Sequence, residues 1–474
     1  MTLSRRSFLN RSGLVGAGLL VPGAARGALD GVCAADFDVP AGVHWCERAP
    51  VAYNAPKKLI VVIANGGWDT TYAFDPKTGN PNIDGPEADF DPKLEGDVET
   101  TQAWGRPVPD DLRASPGAGF IFKENLVKRG GLSRFCERWW QDTAVINGMW
   151  TGSIVHQPCR IRMLTGTTAS YNADFATIFG FEHGADLPLG SFDFSGLSYS
   201  GQLAASTGRI GFNAQIKTLL DPATVYAAPS DADYTLPIFR RDSLEEKLVR
   251  EVLEQRVEEF RDARSGKFAP RNELMLNDML SAMKRRTDLL EKGADMVADL
   301  KLGAEPSMDL QACVAADLLE KGLCSAVTIK HFEMWDTHKA NFLQHEKYNT
   351  MFTTLDKLMC RLQETDQLKD TLIAVISEMG RTPRLNVGNG KDHWGHTTQL
   401  LIGAGIKGGF TYGSTDESQE SMPVDITTGE LIDEADGGEL LKYDSFVSGV
   451  LQTAGIDAAK WLPLAVPFTG ATAV

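Results

Sequence analysis

The chain has 474 residues, of which 43% are hydrophobic and 23% charged, and its formal net charge at pH 7 is −16. That length is ample for a large core, and so acidic a surface argues against nucleic acid and anionic membrane as partners. An anionic substrate would need local positive charge, most simply from bound cations.

The chain opens with Ser4-Arg5-Arg6-Ser7-Phe8-Leu9, then an apolar run over 14–21, then Gly23-Ala24-Ala25. This is the pattern of a twin-arginine secretory signal over residues 1–25, cleaved near Ala25. Loss of Arg5, Arg6 and Arg11 with it takes the net charge to −19. The apolar run is too short to span a bilayer as a mature helix. Asp30-Gly31-Val32 before Cys33 is a poor lipoprotein box, so no stable membrane anchor is expected. A periplasmic or secreted protein is expected, with residues 30–474 as its folded domain. A route that exports folded chains suits a metal loaded beforehand.

Residues 58–64 (KLIVVIA) form a continuous β-branched run that ends in Asn65-Gly66-Gly67-Trp68-Asp69. They read as a buried parallel strand opening into a Gly-rich loop. Further short strands are expected at 143–146, 325–329, 371–376 and 399–402. Between them, 348–362 carries Phe352, Leu355, Leu358, Met359 and Leu362 at helical spacing. Strand–helix alternation of this kind indicates an α/β fold, a sheet flanked by helices. Residues 242–300 break the rhythm and read as an inserted helical hairpin, with Asp242 or Ser243 capping one helix, Asn272 the other and Pro270 between. It serves as a cap on the sheet or as a coiled-coil arm of a homodimer. The stretches 75–119 and 412–438 read as irregular surface loops. Seven cysteines are an odd count; Cys33 and Cys46 are expected to pair, and Cys136, Cys313 and Cys360 to be plain core thiols.

Five of the eight histidines lie between His331 and His396, and the stretch from Asp336 to His396 holds Asp336, His338, His345, Glu378, Asp392, His393 and His396. Imidazoles and carboxylates beside apolar strands are the ligand set of Zn²⁺-like or Mn²⁺-like ions. In an open α/β sheet, ligands to one site converge from several strand ends. Asp69 follows the first strand, Asp336 and His338 the third and Glu378 the fourth; Asp392, His393 and His396 precede the fifth. A second segment is His156-Gln157-Pro158-Cys159-Arg160, with Thr165-Gly166 closing it. Pro158 suits the first turn of a helix and Gly166 its stop. His156 would then stand where backbone N–H groups favour anions, with Arg160 one turn on. Thr70 and Thr71 are reserve nucleophiles or local caps. There is no Cys-x-x-Cys, haem-attachment motif or Rossmann glycine fingerprint, which disfavours an oxidoreductase.

That second segment resembles the sulfatase signature. Pro158, Arg160, Thr165 and Gly166 match in register, with Cys159 at the Ser position and His156 at the nucleophile position. Asp69, and Asp336 with its following His, resemble metal-binding positions of the alkaline phosphatase/sulfatase superfamily. His396-Thr397-Thr398 resembles a late motif of its cofactor-independent phosphoglycerate mutases. Over nearly its whole length the chain is identified as a member of an exported family of unknown function (domain of unknown function fifteen hundred and one). It carries that family's Trp335-Asp336-Thr337-His338, Ser377-Glu378-Met379-Gly380-Arg381-Thr382 and Asp392-His393. The resemblance implies a mixed, mainly parallel sheet of alkaline phosphatase type and two divalent ions, with Zn, Mn and Ca equally admissible. Their ligands would be drawn from Asp69, Asp336, His338, Glu378, Asp392, His393 and His396. Either Glu378 or Asp392-His393 would complete the second metal site. His156 would be a ligand, a general base or a nucleophile, and Arg160 and Arg381 would take charge from the departing group. The implied substrate is a small phosphate or sulfate ester; the alternative is a non-catalytic exported binding or assembly protein on the same fold.

Overall fold

A computed structural model describes residues 46–77, 80–86, 102–105, 121–124, 128–209, 243–263, 284–285, 287–289, 291–292, 306–331 and 334–473. The signal segment, Cys33 and most of the expected hairpin lie outside the described residues; its first limb is the helix α4 (Ser243–Ala263).

Eight strands make one sheet. They are β1 (Lys58–Ala64), β2 (Thr143–Trp150), β3 (Ser191–Asp193), β4 (Thr207–Arg209), β5 (Ala326–His331), β6 (Thr371–Ser377), β7 (His396–Gly403) and β8 (Thr411–Tyr412). Their order is β8-β2-β7-β6-β1-β5-β3-β4. β1 lies between β5 and β6, parallel to both. This is why its apolar run does not alternate: Ile60, Val62 and Ala64 enter one core while Leu59, Val61 and Ile63 enter the other. Only β7 runs against the rest, antiparallel to β6 and β2. The first core holds the helices α1 (Gly130–Trp139), α5 (Met308–Glu320) and α6 (Gln344–Glu364). The second holds α2 (His156–Thr165), α3 (Phe175–His183) and α7 (Tyr443–Thr453). The result is a mixed, mostly parallel sheet with helices on both faces.

β2 runs four residues past its expected end. Asn147-Gly148 is a bulge in the strand, opposite the register shift between Thr397 and Gln399. Gly148 has φ +67°, and a Cβ there would stand 2.1 Å from the Ser414 carbonyl oxygen. The Asn147 side-chain oxygen accepts from Gly148 N–H and Thr398 Oγ1–H, both at 2.8 Å.

The cysteine pairing corrects the sequence reading. Cys46 is bonded to Cys360 of α6, across 314 residues, and Cys313 is disulfide-bonded too. Cys360 and Cys313 are therefore not plain thiols, while Cys136, Cys159 and Cys324 are buried and not in disulfides. Nearness in sequence suggested Cys33 for Cys46, but residues 46–49 run along the end of α6. There the Gln363 side chain donates to Glu47 O and accepts from Ala49 N–H, both at 2.8 Å. No helix among the described residues is long and apolar enough to cross a membrane.

A bond closing so long a loop should restrict the unfolded chain strongly. We expect the double substitution Cys46→Ala/Cys360→Ala to cost about 2–5 kcal/mol in a denaturant titration. An unchanged midpoint would show that this bond adds nothing to stability.

Candidate metal centre

The C-terminal ends of β1, β2, β5 and β6 share one edge of the sheet. Because β7 is antiparallel, its N-terminal end lies there too, with His396 opposite Trp150. This is how residues that precede a strand meet residues that follow four others.

Three imidazoles converge on one carboxylate. His338 Nε2 lies 3.1 Å from Asp336 Oδ1 and 2.9 Å from His393 Nε2. His393 Nε2 is itself 3.1 Å from Asp336 Oδ1. His156 Nε2 is 3.3 Å from Asp336 Oδ2. In every ring the other nitrogen is engaged by an acceptor. His393 Nδ1 meets the Ile154 carbonyl at 2.7 Å, His338 Nδ1 meets Asp392 Oδ1 at 2.9 Å, and His156 Nδ1 meets Glu378 Oε1. A carbonyl cannot donate, so the proton of neutral His393 sits on Nδ1, and the same assignment suits the other two rings. Three Nε2 lone pairs and a carboxylate then face one another, an arrangement that repels itself unless a cation lies between. Carboxylate or carbonyl on Nδ1 and metal on Nε2 is how ligating histidines are ordinarily held. Among the described residues, His156, Asp336 and His393 offer ligand atoms that all lie within 4.8 Å of one another; His338 adjoins them. Three imidazoles and one carboxylate fit a Zn²⁺-like ion.

Asp336 is held from behind by Arg381. This fully buried guanidinium donates to Asp336 Oδ1 at 2.7 Å, to Gly67 O at 2.8 Å, to Lys391 O at 3.2 Å and to Gly66 O. Burial raises the Asp336 pKa, but the hydrogen bond and charge of Arg381 outweigh it and hold the carboxyl down at about 2. The Gly-rich loop is needed for this approach: Gly66 has φ +119°, and a Cβ there would stand 2.7 Å from Asp336 N. Arg381 therefore orients the carboxylate, with four of its five N–H donors spent inside the protein.

Glu378, also fully buried, gives one oxygen to His156 and the other to Arg160 Nε at 2.7 Å. It stands behind His156, and its hydrogen bond is the main cause raising the His156 pKa. Asp392 likewise stands behind His338; its own carboxyl is lowered, first by that hydrogen bond and then by Asn386. Asp69 is fully buried and tied to Lys391, Asn341 and Thr71. His396 Nδ1 accepts from Ser421 N–H at 3.0 Å and lies 2.7 Å from its hydroxyl, and burial lowers its pKa. His345 lies on α6 with Nδ1 2.6 Å from an Arg129 nitrogen. Thr70 accepts from Gln419, Thr71 donates to Asp69, and both are buried. The Cys159 thiol is raised by burial and faces Ser153 O at 3.1 Å. Sequence reasoning missed Lys391, Asn341, Asn386 and the Ile154 carbonyl. Of these only Lys391, adjoining Asp392-His393, carried any signal.

The model of the family described as "Protein of unknown function (DUF1501)" matches residues 56–432. The chain belongs to this family. No curated protein matches the DUF1501 chain. Solved structures similar to it include Ps i-CgsB in complex with k-i-k-neocarrahexaose, at 9% identity and TM-score 0.39, covering 88% of this chain and 76% of that one. Another is the phosphonate monoester hydrolase SpPMH from Silicibacter pomeroyi, at 14% identity and TM-score 0.28, covering 73% and 72%. A third is BT4656 in complex with its substrate D-glucosamine-2-N,6-O-disulfate, at 12% identity and TM-score 0.27, covering 70% and 73%.

Ligands and their supports should separate in a metal titration. We expect His393→Ala to lower metal affinity more than about 100-fold, and Asp392→Asn, which only weakens the hold on His338, to lower it about 10–100-fold. Equal, negligible effects would show that the imidazole cluster does not bind the ion. Metal should also be released as the buffer falls from about pH 8 to about pH 5, since a protonated imidazole offers no lone pair.

Proposed function

We propose that this DUF1501 protein is an exported, metal-dependent hydrolase of phosphate or sulfate esters, of alkaline phosphatase/sulfatase type. The convergence of His156, His338 and His393 on Asp336, each Nδ1 already engaged, carries this reading. A divalent ion held by these four residues would polarise an ester oxygen and lower the pKa of a bound water towards ~7.

The protein's own groups prepare the rest. His156 is the first residue of α2, and no side chain caps that helix. Its first-turn N–H groups and helix dipole favour the anionic part of an ester. Arg160 and Glu378 fix the His156 ring, so Nε2 keeps one direction. Glu378 draws positive charge onto the ring, which suits His156 to receive or return a proton when it is not ligating. The twin-arginine leader supports an exported location. So do the disulfides at Cys46–Cys360 and Cys313, since such bonds persist in oxidising compartments.

One observation favours a non-catalytic binding protein instead. An imidazole stands at the nucleophile position, and the nearby Thr71 hydroxyl and Cys159 thiol are buried and engaged.

Protein purified from its own host's envelope without added metal decides between them on a panel of aryl phosphates, phosphonates and sulfates. The hydrolase reading expects turnover on at least one class, lost with a chelator and reduced about 100–1,000-fold in Asp336→Ala. Metal-loaded protein inert on the whole panel would establish the binding reading.

A further inference from the structure

The sequence resemblance implies two ions, with Asp69 among their ligands. The residues around Asp69 do not fit a second one. Its Oδ1 accepts from Thr71 N–H at 3.1 Å and from Thr71 Oγ1–H at 2.7 Å. Its Oδ2 accepts from Asn341 Nδ2–H at 2.8 Å and lies 2.8 Å from Lys391 Nζ. A carboxylate has about four lone-pair sites, and four donors take them. Both the Asp69 and Lys391 side chains are 0% exposed, so this is a closed charge pair and not a surface ion pair. The backbone fixes both ends. Asp69 N–H donates to Gln344 Oε1 at 3.2 Å, and Tyr348 O–H donates to Asp69 O at 3.1 Å. Lys391 N–H donates to Thr337 O at 3.0 Å, and Lys391 O receives Arg381.

We infer that the Lys391 ammonium is a tethered cation in the position beside Asp69 that a second ion would take, so that the centre holds one ion. The inference rests on the metal-centre reading above and fixes its stoichiometry. It also explains the sequence Lys391-Asp392-His393. One short segment supplies the built-in cation, the support for His338 and a ligand, so docking Lys391 on Asp69 sets the position of the other two. Lys391 is a positioning residue; buried on Asp69, it touches no substrate.

The test counts ions. Wild type, Lys391→Ala and Lys391→Ala/Asp69→Asn are each dialysed to equilibrium against Zn²⁺, Mn²⁺ or Ca²⁺ and measured by mass spectrometry of the metal. The expected result is one equivalent in wild type and, with at least one of these ions, one more in Lys391→Ala. That extra equivalent should vanish in the double variant, and it should raise the melting temperature of Lys391→Ala only. A folded Lys391→Ala with the wild-type count in all three metals would overturn the inference. Should Lys391→Ala not fold, Asp69→Asn in the wild-type background decides: an unchanged count supports the tethered cation, and loss of one ion overturns it. The readout is a difference between variants. A wild type without any ion would defeat the hydrolase reading, while the gain in Lys391→Ala would still report on Lys391.

Discussion

Prior commitment of the imidazole protons is the constraint on which the centre depends. Each of His156, His338 and His393 has its Nδ1 taken by a glutamate, an aspartate or a main-chain carbonyl. The lone pairs that remain must be Nε2, and all three face Asp336. Remove the acceptors and the rings would be free to turn their protons inward, where they could satisfy Asp336 without any ion. The supports therefore create the site as much as the ligands do.

Behind this layer lies a second one made of compensated charge. Arg381 faces Asp336, Arg160 faces Glu378 and Lys391 faces Asp69. In each pair at least one partner is wholly buried, and leaving such a partner alone costs about 3–5 kcal/mol. Cations from three different segments thus pin carboxylates at the ends of β1, β5 and β6. The sheet makes this possible through a single reversal, since antiparallel β7 brings Asp392 and His393 to an edge otherwise built from strand C-termini.

Much of the fold was legible because burial on both faces writes itself into composition: β1 and β6 read as unbroken apolar runs and hold nearly the expected bounds. The direction of β7 was not legible, because a buried run looks the same in either direction. Nor was the course of β2 past Ile146, where Asn147-Gly148 forms a bulge. At the centre, residue type and position at strand ends singled out Asp336, His338 and His393. They did not separate ligand from support, since Glu378 and Asp392 are carboxylates of the same kind and differ only in what stands in front of them. The fate of Asp69 was hidden for the same reason, because a lysine more than 300 residues away in sequence reaches it only in three dimensions. The disulfide of Cys46 with Cys360 is long-range in the same way.

X-ray absorption at the metal edge, on protein isolated without added metal, tests the central claim most directly. The account expects a first shell of nitrogen and oxygen only, with the outer-shell scattering of three imidazole rings, diminished by one ring in His393→Ala. A spectrum without imidazole scattering, or a sample without metal at the edge, would contradict it.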